Sequence, residues 1–199
     1  MTTRIPLFPL HTVLVPGAFL SLRIFEPRYL DLISECLRQD TGFGVNLIKH
    51  GGEVGEPATV HPAGTYARIV DWQRQPDGLL GITIEGQNRF RVRATQVRSN
   101  RLLEASIDWS TEDGDRPVSE LDGELLSWLR ALDQAMPLPL IDESSPERGA
   151  AWLGFRLLER LPLPVSAKQA LLEIDEPVMR LEKLRSLVQA AARQQQSIA

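Results

Sequence analysis

The spacing of apolar residues changes along this chain from a two-residue period to a helical period near residue 110. Leu20, Leu22 and Ile24 are separated by single residues that would point the other way, as in a half-buried strand. Farther on, Leu121, Leu125 and Leu132 recur at the spacing of one helix face. The first part of the chain is therefore predicted to be β-rich, and the second part α-helical.

Several further short strands are predicted in the β-rich part. They cover residues 43–47, 65–72, 79–85, 89–94 and 102–109. Turns are predicted at Pro76–Gly78 and at Glu85–Asn88, because both segments combine glycine with other turn-forming residues. Many short strands favour a small β-barrel, closed or nearly closed, because closure removes exposed sheet edges.

One helix is predicted to interrupt these strands after Glu26. Pro27 suits the first helical position, and the Glu26 carboxylate suits the positive end of the helix dipole. Tyr29 and Ile33 then recur at helical spacing. We expect this helix to end near residues 40–42.

The opening run Ile5–Leu10 contains two prolines, Pro6 and Pro9. Proline has a fixed φ and no amide donor, so within sheets it is largely confined to edge strands, strand starts and bulges. The run is therefore predicted to be an edge strand or another extended segment.

An acidic segment without apolar periodicity, residues 110–117, separates the two parts. We predict a β-barrel domain over residues 1–115 and an α-helical domain over residues 116–199, the latter a small helical bundle. Helix starts in the second domain are predicted at Ser119–Asp122, Ser145–Glu147, Ser166–Gln169 and Pro177.

Composition excludes several kinds of site. The lone cysteine, Cys36, excludes an internal disulfide framework and fits a reducing cytoplasm. His11, His50 and His61 are scattered and lack metal-ligand spacing. No apolar run is long enough to span a bilayer, and the N-terminus lacks a signal-peptide core. We therefore expect a cytoplasmic protein without a metal, cofactor or membrane partner.

A locally basic segment leaves two alternative functions open. Arg89, Arg91 and Arg93 alternate with apolar residues, so their side chains should emerge from one strand face as a basic stripe. Such a stripe could contact RNA phosphates, although the net charge of −4 argues against a dedicated polyanion binder. An unrecognised hydrolase is the second alternative, although no G-x-S-x-G elbow occurs.

Seven short motifs, in order along the chain, resemble one known family. They are Ile5–Leu10, Val15–Gly17, Phe25–Tyr29, Gly64–Ile69, Asp77–Gly78, Gly86–Val92 and Lys168–Glu173. Together they are similar to the N-terminal domain of ATP-dependent Lon proteases and to free-standing proteins that contain only that domain. The resemblance implies an α+β fold: a pseudo-β-barrel like that of pseudouridine synthase and archaeosine transglycosylase (PUA-like) with one inserted helix, followed by a C-terminal helical bundle.

The resemblance also implies a role in holding substrate polypeptides. The chain contains no G-x-x-x-x-G-K-[ST] phosphate loop and does not reach the Lon peptidase unit, so we expect no catalysis. The expected ligands are unfolded or exposed polypeptide segments with apolar stretches. A protease or chaperone is the expected associated partner, and the chain is expected to be a monomer or a weak homo-oligomer.

We expect the polypeptide to lie in a groove between the barrel and the helical part. Its candidate residues are Glu26, Arg28, Tyr29, Arg68 and Trp72. For the first three, a structural role competes with binding, because a strand-to-helix junction also needs a carboxylate near the dipole and an aromatic anchor. Trp72 is the tryptophan expected to be exposed, since polar residues follow it.

Overall fold

Strands fill the first part of the chain and helices the second. The computed structural model describes residues 3–135 and 149–196. Contacts divide the chain into two compact units, Met1–Ser110 and Thr111–Ala199. The first contains β1 Thr3–Leu10, β2 Phe19–Ile24, α1 Pro27–Gln39, β3 Phe43–His50, β4 Thr59–Arg74, β5 Leu80–Val97 and β6 Leu103–Trp109. The fold is therefore a mixed α+β fold, as predicted.

Five strands of the first unit form a closed circuit of pairings. β1 runs parallel to β3, and the antiparallel pairs β3–β4, β4–β5, β5–β6 and β6–β1 complete the circuit. The core cluster inside it comprises Ile5, Leu7, Phe90, Leu103, Ala105 and Ile107. Gly44 makes room for this core, because a Cβ there would lie 2.6 Å from both the Leu7 side chain and the Phe90 ring.

The turn predicted at Glu85–Asn88 is wrong, because β5 runs through it. Thr65 pairs with Arg89 and Ala67 pairs with Gly86, so β5 carries one extra residue here and forms a bulge. A Cβ on Gly86 would lie 2.3 Å from the Val15 carbonyl oxygen. The glycine therefore marks a bulge and a close backbone approach, which share their local sequence signal with a turn.

The opening run is an extended strand, but the predicted edge position is wrong. β1 lies between β3 and β6 in the sheet. Its first half, through Pro6, registers with β6, whereas its second half, with Pro9, registers with β3. Each proline thus has a paired neighbour on one side, and its missing amide donor can face the other side.

The second unit contains helices α2 Gly123–Ala135, α3 Ala150–Arg160, α4 Val165–Leu172 and α5 Pro177–Gln196, with a short 3-10 helix, Glu120–Asp122, before α2. The predicted capping box at Ser119–Asp122 is confirmed. The one at Ser166–Gln169 is wrong, because α4 begins at Val165 without a side-chain cap. The start predicted at Ser145–Glu147 lies outside the described residues.

Residues just before the predicted domain boundary belong to the second unit and contact its helices. Asp115 accepts a hydrogen bond from the Ala151 amide at 2.9 Å, and Glu112 forms an ion pair with Arg180 at 2.9 Å. The boundary between residues 115 and 116 stays a prediction.

Asp122 makes the start of the second unit sensitive to acid. Its carboxylate accepts hydrogen bonds from Arg116 at 2.7 and 3.0 Å and from the Ser119 amide at 3.0 Å. The Arg116 guanidinium, foremost, holds the pKa of Asp122 below its ordinary value of 3.8. A lowered pKa stabilises the fold above that ordinary value, and this stability is lost as pH falls through the folded-state pKa.

We therefore expect Asp122→Asn to lower the free energy of unfolding at neutral pH by about 2 kcal/mol. The difference from the parent should shrink as pH falls below 3.8. Urea unfolding followed by circular dichroism at several pH values measures this difference in the free energy of unfolding. Glu120→Gln is the control on the same turn. A constant difference between parent and variant at all pH values would contradict the assignment.

Candidate functional site

β2 lies at an exposed edge, and two cavities flank it. β2 pairs antiparallel with β5, from Phe19 opposite Glu85 to Ile24 opposite Leu80. Within residues 3–135 and 149–196, no strand pairs with its other edge. Both cavities include Ser21, Leu22 and Arg23 in their lining.

The first cavity has a volume of about 300 Å³. Besides the three β2 residues it is lined by Phe8, Leu10, Ile24, Phe25, Glu26, Tyr29, Glu53 and Val54. We call it the Tyr29 cavity. Its lining is mainly apolar, with two carboxylates, which is the composition expected of a site that binds apolar groups and orients them by a few polar contacts.

Stacked aromatic rings form the inner wall of the Tyr29 cavity. The Tyr29 ring stacks on Phe8 with centroids 4.0 Å apart, and the Arg28 guanidinium lies 4.7 Å from the Tyr29 centroid on α1. Burial raises the pKa of the Tyr29 phenol to about 12. The phenol is neutral at physiological pH, as an ordinary tyrosine is, so neither ring of the wall carries a charge.

Arg28 anchors the loops around the cavity. It is buried, and it donates hydrogen bonds of 3.3 Å to the carbonyl oxygens of Glu53 and Arg101. It also forms an ion pair with Glu26 at 3.0 Å. The His11 amide donates to the Glu53 carboxylate at 2.7 Å, so two contacts fix Glu53 and with it the neighbouring Val54.

Two large apolar side chains at the Tyr29 cavity are exposed to solvent. Phe25 is 55% exposed and Val54 is 58% exposed. Phe25 follows β2 directly, and Val54 belongs to the loop that Arg28 anchors. Apolar surface beside an apolar cavity is the kind of patch that marks a binding surface.

The second cavity lies between β2 and the β4–β5 hairpin and has a volume of about 540 Å³. Besides the shared residues it is lined by Asp71, Trp72, Gln73, Gln75, Pro76, Asp77, Gly81, Ile82 and Thr83. We call it the Asp77 cavity. More of its lining residues are polar than in the Tyr29 cavity, and two of them, Arg23 and Asp77, form an ion pair.

The five predicted groove residues do not lie in one place. Glu26 and Tyr29 line the Tyr29 cavity, and Trp72 lines the Asp77 cavity with 60% of its surface exposed, as its position in the sequence predicted. Arg28 is buried and anchors loops. Arg68 lies apart from both linings, and its guanidinium pairs with Asp40.

Sequence reasoning missed most of the Tyr29 cavity. The missed residues are Phe8, Leu10, Ser21, Leu22, Arg23, Ile24, Phe25, Glu53 and Val54. Two of them carried a usable signal, because Val54 is an isolated apolar residue in a glycine-rich loop and Phe25 extends an apolar alternation beyond its core-facing members. The others have no local signal.

The predicted basic stripe is uneven. Arg89 is only 2% exposed, Arg91 is half-buried, and Arg93 is exposed and forms an ion pair with Asp108. β5 has a register irregularity against β6 between Val92 and Ala94, so the common face of the three arginines stays a prediction, and the alternation did not predict the depth of each residue. RNA binding by this stripe stays a prediction, as does the hydrolase alternative.

The described residues contain neither a metal-binding cluster nor a membrane-spanning helix. No group of three or more histidine, cysteine, aspartate or glutamate side chains there is arranged to hold a metal ion. Of the helices described, none combines the length and the apolar character needed to cross a membrane.

Comparison with solved structures finds the same fold in related domains. A crystal structure of a Lon N-terminal domain protein from Xanthomonas campestris superposes with a TM-score of 0.77 and 39% identity, covering 92% of this chain and 98% of that one. The N-terminal domain of Mycobacterium avium complex Lon protease shares the fold at a TM-score of 0.63 and 15% identity, over 92% of this chain and 96% of that one.

Comparison of sequences identifies the family. The Lon protease of Geobacter metallireducens is 28% identical over 192 residues, which cover 90% of this chain and 23% of that protein. The chain thus spans about a quarter of the length of the curated relatives it matches. A family model described as the ATP-dependent protease La (LON) substrate-binding domain matches residues 4–190. The chain therefore belongs to the Lon substrate-binding domain family, as its motifs predicted.

Proposed function

We propose that this chain binds exposed apolar segments of client polypeptides at the Tyr29 cavity. Membership of the Lon substrate-binding family supports a polypeptide-recognition module. The observation that carries the finer proposal is the pair of exposed apolar side chains, Phe25 and Val54, beside a cavity walled by Phe8 and Tyr29. A client side chain seated there would remove apolar surface of both partners from water, at about 25 cal/mol per Å².

The anchored loops support the same role. Arg28 and the His11 amide fix Glu53, so Val54 is held beside the cavity before any ligand arrives. A site that is ordered in advance loses less conformational entropy on binding. The flexible client still loses its own, and we therefore expect weak binding of any single peptide.

Phe25→Ser combined with Val54→Ser should weaken binding of apolar peptides roughly ten- to hundredfold, because both side chains would lose buried contact area. The measurement is fluorescence anisotropy with labelled unstructured peptides chosen from an array probed with the parent chain.

The matched control replaces two exposed apolar side chains that line neither cavity, Leu37→Ser with Val97→Ser. This control should bind like the parent chain. Equal loss in both double variants would show that general surface apolarity, and not the Tyr29 cavity, holds the peptides. An array on which no apolar-rich peptide binds the parent above background would remove the proposal altogether.

Several finer assignments accompany this proposal. We propose that the five-stranded circuit is a PUA-like pseudo-barrel, that helices α2 to α5 form a bundle, and that the chain acts by binding alone. The family's description as substrate-binding supports the last of these. The single cysteine, Cys36, is buried and free, which supports a location in the reducing cytoplasm. A protease or chaperone that receives the bound client remains the proposed partner.

A further inference from the structure

We propose that the client adds to the sheet as an extra strand along the open edge of β2. The inference rests on the proposed function, since it specifies how the same surface holds a polypeptide. An exposed strand edge offers a row of backbone donors and acceptors, and an extended polypeptide is the ligand whose backbone complements that row. The open edge of β2 therefore favours an extended polypeptide backbone as its ligand.

The hydrogen-bond phase of β2 shows which backbone groups are available. The Gly86 amide donates to the Ala18 carbonyl at 2.8 Å, immediately before the β2–β5 pairing begins. In an antiparallel pair, alternate residues bond to the partner. Leu20, Leu22 and Ile24 therefore direct their backbone groups toward β5, and Phe19, Ser21 and Arg23 direct theirs outward.

The outward backbone groups lie where both cavities meet. Ser21 and Arg23 line the Tyr29 cavity and the Asp77 cavity, and both residues are exposed. Among strands and helices of the described chain, β2 makes extensive contacts with β5 alone. An added strand would therefore run between the two cavities.

The two faces of the sheet beside β2 differ in polarity. Leu22 pairs with Ile82 and Ile24 with Leu80 on one face, whereas Ser21, Thr83 and Asp71 lie in line on the other face. Each cavity includes residues of both faces. Side chains of an added strand alternate between the faces, so one set would lie on the apolar face and the other on the polar face.

Charge specifies the set of side chains on the polar face. The carboxylates that line the two cavities are Glu26, Glu53, Asp71 and Asp77, and Arg23 is the one lysine or arginine among the described lining residues. Arg28 pairs with Glu26 and Arg23 pairs with Asp77, so the acidic excess rests on Glu53 and on Asp71, which lies on the polar face. This acidic excess favours cationic side chains over anionic ones. The geometry thus points to an extended segment in which apolar residues alternate with lysine or arginine.

Backbone N-methylation of a peptide tests strand addition without altering the protein. The probe is the labelled peptide Lys-Val-Lys-Phe-Lys-Val-Lys, made in two methylated forms, one with N-methyl groups on the internal lysines and one with them on the apolar residues. In an added strand only one of these two sets directs its amides toward β2. We expect one form to lose affinity roughly tenfold or more and the other to bind like the parent peptide.

The identity of the weakened form also gives the strand direction. In antiparallel addition, residues bonded to Ser21 share its face, so methylated lysines would block binding; in parallel addition, methylated apolar residues would. Equal loss in both forms, or loss in neither, would overturn strand addition and leave client binding intact. Failure of the parent peptide, while other apolar peptides bind, would do the same. Failure of every apolar peptide would overturn the proposed function as well.

A change in the protein provides a second test. Ser21→Pro removes an outward amide, whereas Ser21→Ala keeps it. We expect roughly tenfold weaker peptide binding for Ser21→Pro and parent-like binding for Ser21→Ala. Thermal unfolding shows whether both variants fold. If Ser21→Pro does not fold, the methylated peptides alone test strand addition. A dimer of the chain that Ser21→Pro abolishes, without peptide binding, would show that a second copy occupies the edge and would overturn the inference.

Discussion

Replacing Arg180 with alanine is expected to lower the free energy of unfolding of the helical unit by about 3–5 kcal/mol. Arg180 lies on α5 with none of its surface exposed. Its guanidinium forms an ion pair with Glu112 at 2.9 Å and lies 4.1 Å from the Phe155 ring centroid on α3. It also donates to the carbonyl oxygens of Leu171, in the last turn of α4, and of Ile174, just after that helix. One side chain thus connects three helices and the segment that enters the unit.

The expected loss is large because truncation removes all the polar contacts of a fully buried guanidinium together. The Leu171 and Ile174 carbonyl oxygens and the Glu112 carboxylate would each lose one hydrogen bond. The removed aliphatic stem would also leave a cavity beside Gly154 and Leu181. The stem packs closely there, because a Cβ built on Gly154 would lie 3.3 Å from the Arg180 Cδ atom.

Urea unfolding followed by the helical circular dichroism signal measures this loss. Arg185→Ala is the matched control on the same helix, because Arg185 is partly exposed and its ion pair with Glu124 is 3.9 Å long. Exposed pairs of this kind contribute less than about 1 kcal/mol. A loss for Arg180→Ala no larger than that for Arg185→Ala would refute the role of the buried guanidinium.

Local patterns sufficed for the strands and helices but not for their pairing. Alternation around Leu20–Ile24 and helical spacing after Pro27 depend on neighbours in the sequence, and the structure has β2 and α1 there. The bulge at Gly86 depends on the Val15 carbonyl, about seventy residues away, so the same glycine suggested a turn. Likewise, β2 and not β1 lies at the open edge, because the position of a strand depends on its pairing with strands that are distant in the sequence.

The candidate site shows the same limit at the level of side chains. Tyr29 could be named from the motif at the start of α1, yet its stacking partner Phe8 comes from β1 and its neighbour Val54 from a distant loop. Arg89 shows the converse case, since the alternation placed it on one strand face but could not reveal that this face would leave it only 2% exposed. Periodicity reports the side of an element, whereas depth depends on what packs against that side.

Tyr29→Ala is expected to lower the free energy of unfolding of the first unit by about 3–5 kcal/mol. The ring is buried between Phe8, at 4.0 Å, and the Arg28 guanidinium, at 4.7 Å. Its removal would open the wall of the Tyr29 cavity and leave Arg28 without its aromatic neighbour. Chemical unfolding followed by near-ultraviolet circular dichroism measures the loss. Tyr29→Phe is the matched control, because it keeps the ring and removes only the hydroxyl group.

The same pair of variants separates the packing of the ring from its ionisation. The pKa of Tyr29 is raised from 10.0 to about 12 by burial, so the folded chain holds the phenolic proton more tightly than the unfolded chain. The stability from this difference is fully present below pH 10.0 and is lost as pH rises through about 12. Tyr29→Phe should therefore resemble the parent at neutral pH and lose less stability than the parent across that window. Parallel losses in the two chains would mean that the phenol ionises as freely in the folded state as in the unfolded one, which is incompatible with a closed, neutral wall.

Because the neutral wall is what makes the cavity suitable for an apolar client side chain, peptide affinity of the parent should also fall across this pH window, and that of Tyr29→Phe should fall less.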